Sequence, residues 1–456
     1  MNQPRRQAWF ALGVLFAINM MNFYDRQIIA AVTEPIRREW DLTDTDMGIL
    51  GTAFVLIYAA VGVPLGRLSD RWSRTRILSG GVTVWSLLTA VSGATWNYRS
   101  MFAARLGVGI GEASCAPAAN SLVGDLFPPH QRGRALSIFM LGLPLGIFFS
   151  NWLSGTIVQW AGWRTAFYVA CVPGLLCGLL TLLIREPKRG QSERNGGAAV
   201  RPQRPGSPYL LVLGTPTIVW IIFSGALHNF NMYALNGFVP ALIKRYHNLS
   251  DRNAGFVAGV ILGAVGVVGL LCGGWVADRV QRARPNGRLL VAAAAMLLSA
   301  PCIYIGVTRP PGDVASFMGW VGTGVMLMYV YYAGVYAAIQ DVVEPGLRGT
   351  AMALYFFVMY ILGGAFGSYV LGALSDWFAF RAMTAAGQSL VAGRVPEGFR
   401  AVGLHQAMYV VPILCFALAI VLFAASRTVA RDMQKLADWY KQSSPQLEPS
   451  AQRDHV

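Results

Sequence analysis

The sequence predicts an all-α membrane protein with twelve transmembrane helices in two pseudo-symmetric six-helix bundles. Three observations predict it. Of 456 residues, 55% are hydrophobic and only 13% charged, about half of the ~25% that lets a soluble domain face water; the mean hydropathy is +0.47. The apolar residues run in stretches long enough for helical spans, which need about 20 residues, and do not alternate as barrel strands do. Two short polar signatures also recur in corresponding loops, 208 and 216 residues apart.

Apolar runs and their breakers place six spans at about 9–33, 47–68, 77–96, 101–124, 134–159 and 164–184. Six more fall at about 215–242, 253–276, 288–307, 315–340, 349–374 and 404–425. The first run, Trp9 to Val32, is too long for a signal peptide and lacks a small-residue cleavage site, so it reads as span 1. The domains are then a first bundle at 1–184, a polar Gly-, Pro- and Arg-rich linker at 185–214, a second bundle at 215–425 and a tail at 426–456. Residues 375–403 read as a long loop before the last span, and the tail begins amphipathic. Cys115, Cys171, Cys177, Cys272, Cys302 and Cys415 all lie in apolar stretches without zinc-site spacing, as packing residues do.

Lys and Arg set the orientation. The side that holds both termini and the linker carries 24 of them and the opposite side 11, with Arg26 and Arg105 inside spans. The positive-inside rule then places termini and linker in the cytoplasm. The net charge of +15 is therefore topological. The bilayer is the expected partner; nucleic acid is not.

Gly66, Asp70 and Arg71 close span 2, and Gly274, Asp278 and Arg279 close span 8 in the same spacing. After span 4, Asp125 precedes Arg132, Gly133 and Ala135; after span 10, Asp341 precedes Arg348, Gly349 and Ala351. Two such halves can rock around a site near the midplane. The Asp and Arg residues at these ends, with Arg74, are expected to pair across helices as a cytoplasmic gate. Span 8 carries a stripe from Gly255 to Gly274, and span 11 has Gly363, Gly364 and Gly367, small residues that allow close helix approach. Pro144 between Gly142 and Gly146 weakens the ladder of span 5.

Polar chemistry inside spans marks the candidate site. Span 1 holds Asn19, Asn22, Asp25 and Arg26, with Asn22 and Arg26 one turn apart; span 4 holds Arg105 and Glu112 on one face. Charges at such depth are costly unless paired or wetted, and normally face a cavity on a transport or proton path. Asp25 and Glu112 are the candidate proton-coupling groups. Asn22, Arg26, Arg105, His228, Asn231 and Tyr332 are the candidates for substrate binding or charge pairing. Span 7 repeats Asn22 and Tyr24 as Asn231 and Tyr233 but has Ala234 where Asp25 stands, so ionisable groups gather in the first half. The second half offers His228, Asn229 and the tyrosines 329, 331, 332 and 336, which suit an amphipathic ligand.

Gly66-Arg-Leu-Ser-Asp70-Arg71-Trp-Ser-Arg74 resembles the loop motif of the major facilitator superfamily, with a half-copy at Gly274 to Arg279. Asn22-Phe-Tyr-Asp25-Arg26, the stretch Arg105 to Ser114 and Gly124-Asp125-Leu-Phe127 look like its Spinster-like branch, in a bacterial homologue. The resemblance implies a proton-linked secondary transporter of lysophospholipid- or sphingolipid-like amphipaths, with Asp25 and Glu112 protonatable. Arg26 and Arg105 would pair with them or with an anionic headgroup. It also implies a monomer in the inner membrane that needs no cofactor beyond a proton gradient. An organic-anion symporter or multidrug exporter of the same fold is the alternative. Gly142-Leu-Pro144-Leu-Gly146 only partly resembles the antiporter motif, which leaves the coupling direction open. No phosphate-binding loop and no metal-binding His-Glu set occurs, so neither an ATP-driven pump nor an enzyme is expected.

Overall fold

The computed structural model describes residues 3–187, 206–344, 347–391 and 393–443. Of residues 3–5, 63, 66, 67, 69–71, 129, 130, 133 and 440–443 only the backbone is described. Any gate contacts of Gly66, Asp70 and Arg71, and the linker from 188 to 205, therefore lie outside the described residues.

Span 1 is Gln3–Ala31, span 2 Asp44–Arg71 and span 3 Arg74–Gly93. Span 4 breaks into Tyr98–Glu112 and Cys115–Leu126, and span 5 into Pro129–Met140 and Gly142–Ala161; span 6 is Trp163–Leu182. Span 7 is Pro216–Tyr246. Span 8 runs Asp251–Gly259 and Val265–Ala283 through a π-helical turn at Val260–Ala264. Span 9 is Gly287–Val307 and span 10 Val314–Val342. Span 11 runs Arg348–Val358 and Ala365–Ala385 around a second π-helical turn, Met359–Gly364. Span 12 is Glu397–Ala407 followed by Val410–Ser443.

Among the described residues, nine of these spans are long and apolar enough to cross a membrane, and spans 1, 3 and 4 fall short. The reason is compositional in two of them: span 1 carries the Asn-Asp-Arg cluster and span 3 six hydroxyl residues. Span 4 is instead broken at Ala113 and Ser114.

Two readings of the connections are corrected. The expected loop at 375–403 shrinks, because residues 375–385 contain neither Gly nor Pro and the helix continues to Ala385, while span 12 already starts at Glu397. The connection after span 1 forms a short helix, Thr33–Trp40, and the end of the expected linker forms another, Pro208–Leu213.

The side of the membrane that holds both chain ends is termed terminal, the other distal. Each half has its own apolar core, one around Leu12, Val82, Trp85 and Phe167, the other around Ile221, Leu242, Phe317 and Leu418. Two seams join them. Along spans 5 and 8 a Cβ on Gly255 would lie 2.4 Å from the Asn151 carbonyl, and one on Gly263 2.5 Å from the Pro144 carbonyl. Along spans 2 and 11 a Cβ on Gly372 would meet the Asp44 carbonyl at 2.4 Å. The glycine stripe of span 8 thus divides: Gly255, Gly259 and Gly263 form the seam, whereas Gly266, Gly269 and Gly273 seat span 10.

Candidate functional site

A cavity of about 790 Å³ lies between the halves. Its first-half wall carries Asn22, Arg26 and Arg105; its second-half wall carries Tyr233, Tyr332, Tyr336, Phe356 and Tyr360. The Arg26 Nε donates to Glu112 Oε2 at 2.7 Å and Asn22 Nδ2 donates to the same oxygen at 3.0 Å. One turn separates the two donors along span 1, which is why both reach one carboxylate on span 4. The Arg26 guanidinium also lies over the Tyr58 ring, 4.3 Å from its centroid, within cation–π range. Tyr58 in turn meets Tyr360 of the other half edge-on at 5.3 Å. Tyr360 sits on the second π-helical turn, whose Met359 carbonyl accepts from Asn229 Nδ2 at 3.1 Å. Such turns leave backbone groups unpaired and often occur at functional sites.

Arg105 lines the cavity and donates to the Asp25 backbone carbonyl at 3.4 Å. Both carboxylates differ from expectation. Asp25 and Glu112 are fully buried and do not line the cavity; they point into the first bundle behind the arginines. A spacing fixes which helix face a residue takes, and here that face meets spans 3 and 6. Neither Asp25 oxygen has a hydrogen-bond partner.

In the second half Tyr332 lines the cavity as expected, and two other candidates do not. His228 is buried in the bundle, stacked on Tyr331 with centroids 4.0 Å apart and edge-on to Tyr332 at 4.9 Å. Asn231 is buried as well and donates to Cys415 Sγ at 3.5 Å. Their face of span 7 packs on spans 10 and 12, while Asn229 and Tyr233 reach the cavity.

Residues 15–368 match the family model of the Major Facilitator Superfamily. The chain belongs to that superfamily. An MFS-type efflux pump of Mycolicibacterium smegmatis is 30% identical to it, over 82% of this chain and 85% of the relative. Human protein spinster homolog 3 is 30% identical over 82% of this chain and 76% of its own. A bacterial homologue of the human lysosomal transporter spinster, crystallised in an inward-facing and occupied conformation, aligns with a TM-score of 0.80 at 26% identity, covering 95% of this chain and 99% of the other. A D-xylose-proton symporter, at 17% identity and a TM-score of 0.65, shares the fold. These likenesses agree with the Spinster-like motifs of spans 1 and 4. The protein is an integral membrane transporter of the alternating-access kind, with the bilayer and a small molecule as its partners.

On the terminal side of the transporter, the described bonds of Arg74, Arg132, Arg288 and Arg348 run within each half. Arg74 bonds Asp125, and its Nε meets Glu186 Oε1 at 2.8 Å. Arg288 holds Asp341 Oδ2 at 2.6 Å and Asp278 Oδ1 at 2.9 Å. Arg132 donates to the Gly124 carbonyl at 2.8 Å and Arg348 to the Gln340 carbonyl at 3.1 Å, so the 216-residue repeat extends to the acceptors. Arg279 lies over Trp275, 5.8 Å from its ring centroid. Asp125 and Asp341 end spans 4 and 10 beside the starts of spans 3 and 9, where Arg74 and Arg288 meet them. Burial pushes the Glu186 carboxyl up, but bonds from Arg74, Ser73 and Thr75 outweigh it and hold the group at about 2.

The ion pairs that do join the halves, among the described residues, are all distal and were missed in the sequence. Arg245 holds Asp44 Oδ1 at 2.6 Å and Glu34 Oε1 at 2.5 Å, all three nearly inaccessible. Arg37 bonds Glu397 at 2.7 Å, and Arg394 pairs with Asp41. Asp376 accepts from the backbone N–H of Thr45 at 2.8 Å, capping the start of span 2 from the other half. Burial raises the Glu34 carboxyl, yet Arg245 and then Arg37 hold it at about 2. One signal was present: Arg37 and Arg245 stand 208 residues apart, the offset of the first repeat signature.

Proposed function

We propose that the protein is a proton-coupled secondary transporter of amphipathic anions, lysophospholipid- or sphingolipid-like, and that it works as a monomer in a bacterial inner membrane with both termini cytoplasmic. The observation that carries this reading is the asymmetry of the cavity: two arginines on one wall, tyrosines on the other, and a buried carboxylate already bound to one arginine. Protonation of Glu112 removes the counter-charge of Arg26 and frees its fork for an anionic headgroup, for which a guanidinium is suited. Asp25, buried beside the Trp85 indole with no ion pair to its oxygens, is the second group to take up a proton, since an ionised carboxylate in that setting is costly. The proton gradient is the energy source and no cofactor enters. With this orientation the distal latch is shut and the cavity opens inward, a reading supported by the inward-facing relative.

A second reading, export of organic anions or drugs, is favoured by the relative described as an efflux pump and by the aromatic wall. Flux of a labelled lysophospholipid into proteoliposomes, with and without an imposed pH gradient, decides between them. Gradient-stimulated movement that Asp25→Asn and Glu112→Gln each abolish, in folded protein, is the expected result. Lipid that stays put while a carboxylated dye moves selects the second reading, and normal gradient-driven flux in both variants removes the coupling assignment.

A further inference from the structure

Asp25 is sealed from the cavity, so a proton reaches it by another way. Span 3 places hydroxyls at Ser79, Thr83, Ser86, Thr89 and Ser92, steps of three and four that keep them on one helix face, with Thr95 beyond its distal end. Ser86, Thr89 and Ser92 are fully buried. Ser92 and Thr95 donate to the carbonyls of Leu88 and Ser92, which leaves their lone pairs free to accept. Ser86 Oγ and Thr89 Oγ1 have no partner, nor have the two Asp25 oxygens and Trp85 Nε1. Buried polar atoms of this kind are the ones internal water binds.

Span 6 turns bare backbone toward the stripe. A Cβ on Gly174 would lie 2.1 Å from the Ser86 hydroxyl oxygen, and one on Gly178 2.8 Å from that of Thr83. The charged and titratable groups around Asp25 are Arg26 and Tyr24 on its own span, Arg105 and Glu112 on span 4, and Cys171 and Cys177 on span 6; span 3 contributes the Trp85 indole. The other half is an internal control. Counted from its first residue, span 9 has Ala292, Met296, Ser299, Cys302 and Ile305 where span 3 has its five hydroxyls, and the counterpart of Asp25 is Ala234. Carboxylate and hydroxyl stripe occur together in one half; in the other the carboxylate is absent and Ser299 is the one hydroxyl left of the five.

We propose that the seam between spans 3 and 6 is a hydrated proton path joining Asp25 to the distal face, separate from the substrate cavity. It rests on the reading of Asp25 as a proton-coupling group. From Trp85 to Thr95 the path rises about 15 Å. A hydronium at the distal mouth gives up one proton; each water or hydroxyl accepts one and passes one on; the Asp25 carboxylate ends as a carboxylic acid, and release runs the same steps backwards. At the mouth, Arg164 holds the Thr95 carbonyl at 3.2 Å and pairs with the half-exposed Glu39.

The test uses purified full-length protein in nanodiscs and needs no substrate. After an acid jump, the infrared carbonyl band of protonated Asp25, identified by its loss in Asp25→Asn, is followed in time. The Ser86→Ala/Thr89→Val double variant is expected to protonate about tenfold more slowly, equivalent to ~1.4 kcal/mol of barrier, with an unchanged midpoint. Gly174→Ala, which moves a methyl onto the path, is expected to slow it too, and Thr89→Ser to keep the original rate. An unchanged rate in both the double variant and Gly174→Ala, or a shifted midpoint at unchanged rate, overturns the path and leaves Asp25 as the coupling group. A wild-type protein with no Asp25-dependent band removes the coupling reading itself, and the path with it.

Discussion

Arg245 is the side chain on which closure of the distal side most depends. It is buried with Glu34 and Asp44, and Asp44 accepts a further bond from Ser375. Arg245→Met leaves the buried Asp44 without its cation and Glu34 with Arg37 and Arg38 alone, and removing one partner of a buried pair costs about 3–5 kcal/mol. The expected outcome is a population shift toward the distal-open state, read as faster thiol labelling of Thr33→Cys from the distal side; unchanged labelling refutes the latch. The pH behaviour follows from Glu34. Its carboxyl is depressed to about 2 from an ordinary 4.5, so its contribution is complete above 4.5 and is lost as pH falls through the folded value. Labelling at Thr33→Cys should be flat near neutrality and rise only in acid. At this scale the sequence disclosed the Asn22-Arg26-Glu112 set, because polar residues inside an apolar run stand out. It did not disclose the latch, whose members fall between the spans expected from sequence, where charge is ordinary, and whose partners are 201 and 211 residues away.

At the scale of elements, the close seam between spans 5 and 8 depends on glycine facing backbone. Gly255→Val would drive a side chain into the Asn151 carbonyl, and overpacking of this kind costs about 1–3 kcal/mol. The variant is expected to splay the distal ends of the two spans and raise distal labelling, while Gly274→Val, facing only Ala333 at 3.8 Å, leaves it unchanged. The twelve spans were legible because apolar length is a strong signal. The break after Glu112 was not, since Ala113, Ser114 and Cys115 include no helix breaker; it arises where Ser114 Oγ bonds the Gly111 carbonyl at 2.8 Å and the span passes close to Gly81. Which wall Asp25 and His228 face was equally hidden, because periodicity names a face without naming its neighbour.

For the whole molecule, the ion pairs seen between the halves among the described residues gather on the distal side of the cavity, and Arg74 and Arg288 on the other side bind carboxylates of their own half. Rocking therefore breaks one set and spares the other. Gln27 Nε2 donates to the Asn236 carbonyl across the halves at 2.7 Å. A short thiol crosslinker between Gln27→Cys and Asn236→Cys is expected to stop transport and reductive cleavage to restore it; transport that survives the crosslink would exclude rocking about this contact. The polar spans carry one more consequence, for how the protein is made. Spans 1 and 3 are short of apolar residues and span 4 is broken into two short helices, so none of the three has by itself the length and composition of a membrane-crossing helix. A charge at mid-span opposes insertion by about 2.5–3.5 kcal/mol. Arg26 leaves the ribosome 86 residues ahead of Glu112, the group that answers its charge. The first bundle thus enters the membrane as a company of helices, and a chain cut after span 3 should hold span 1 poorly.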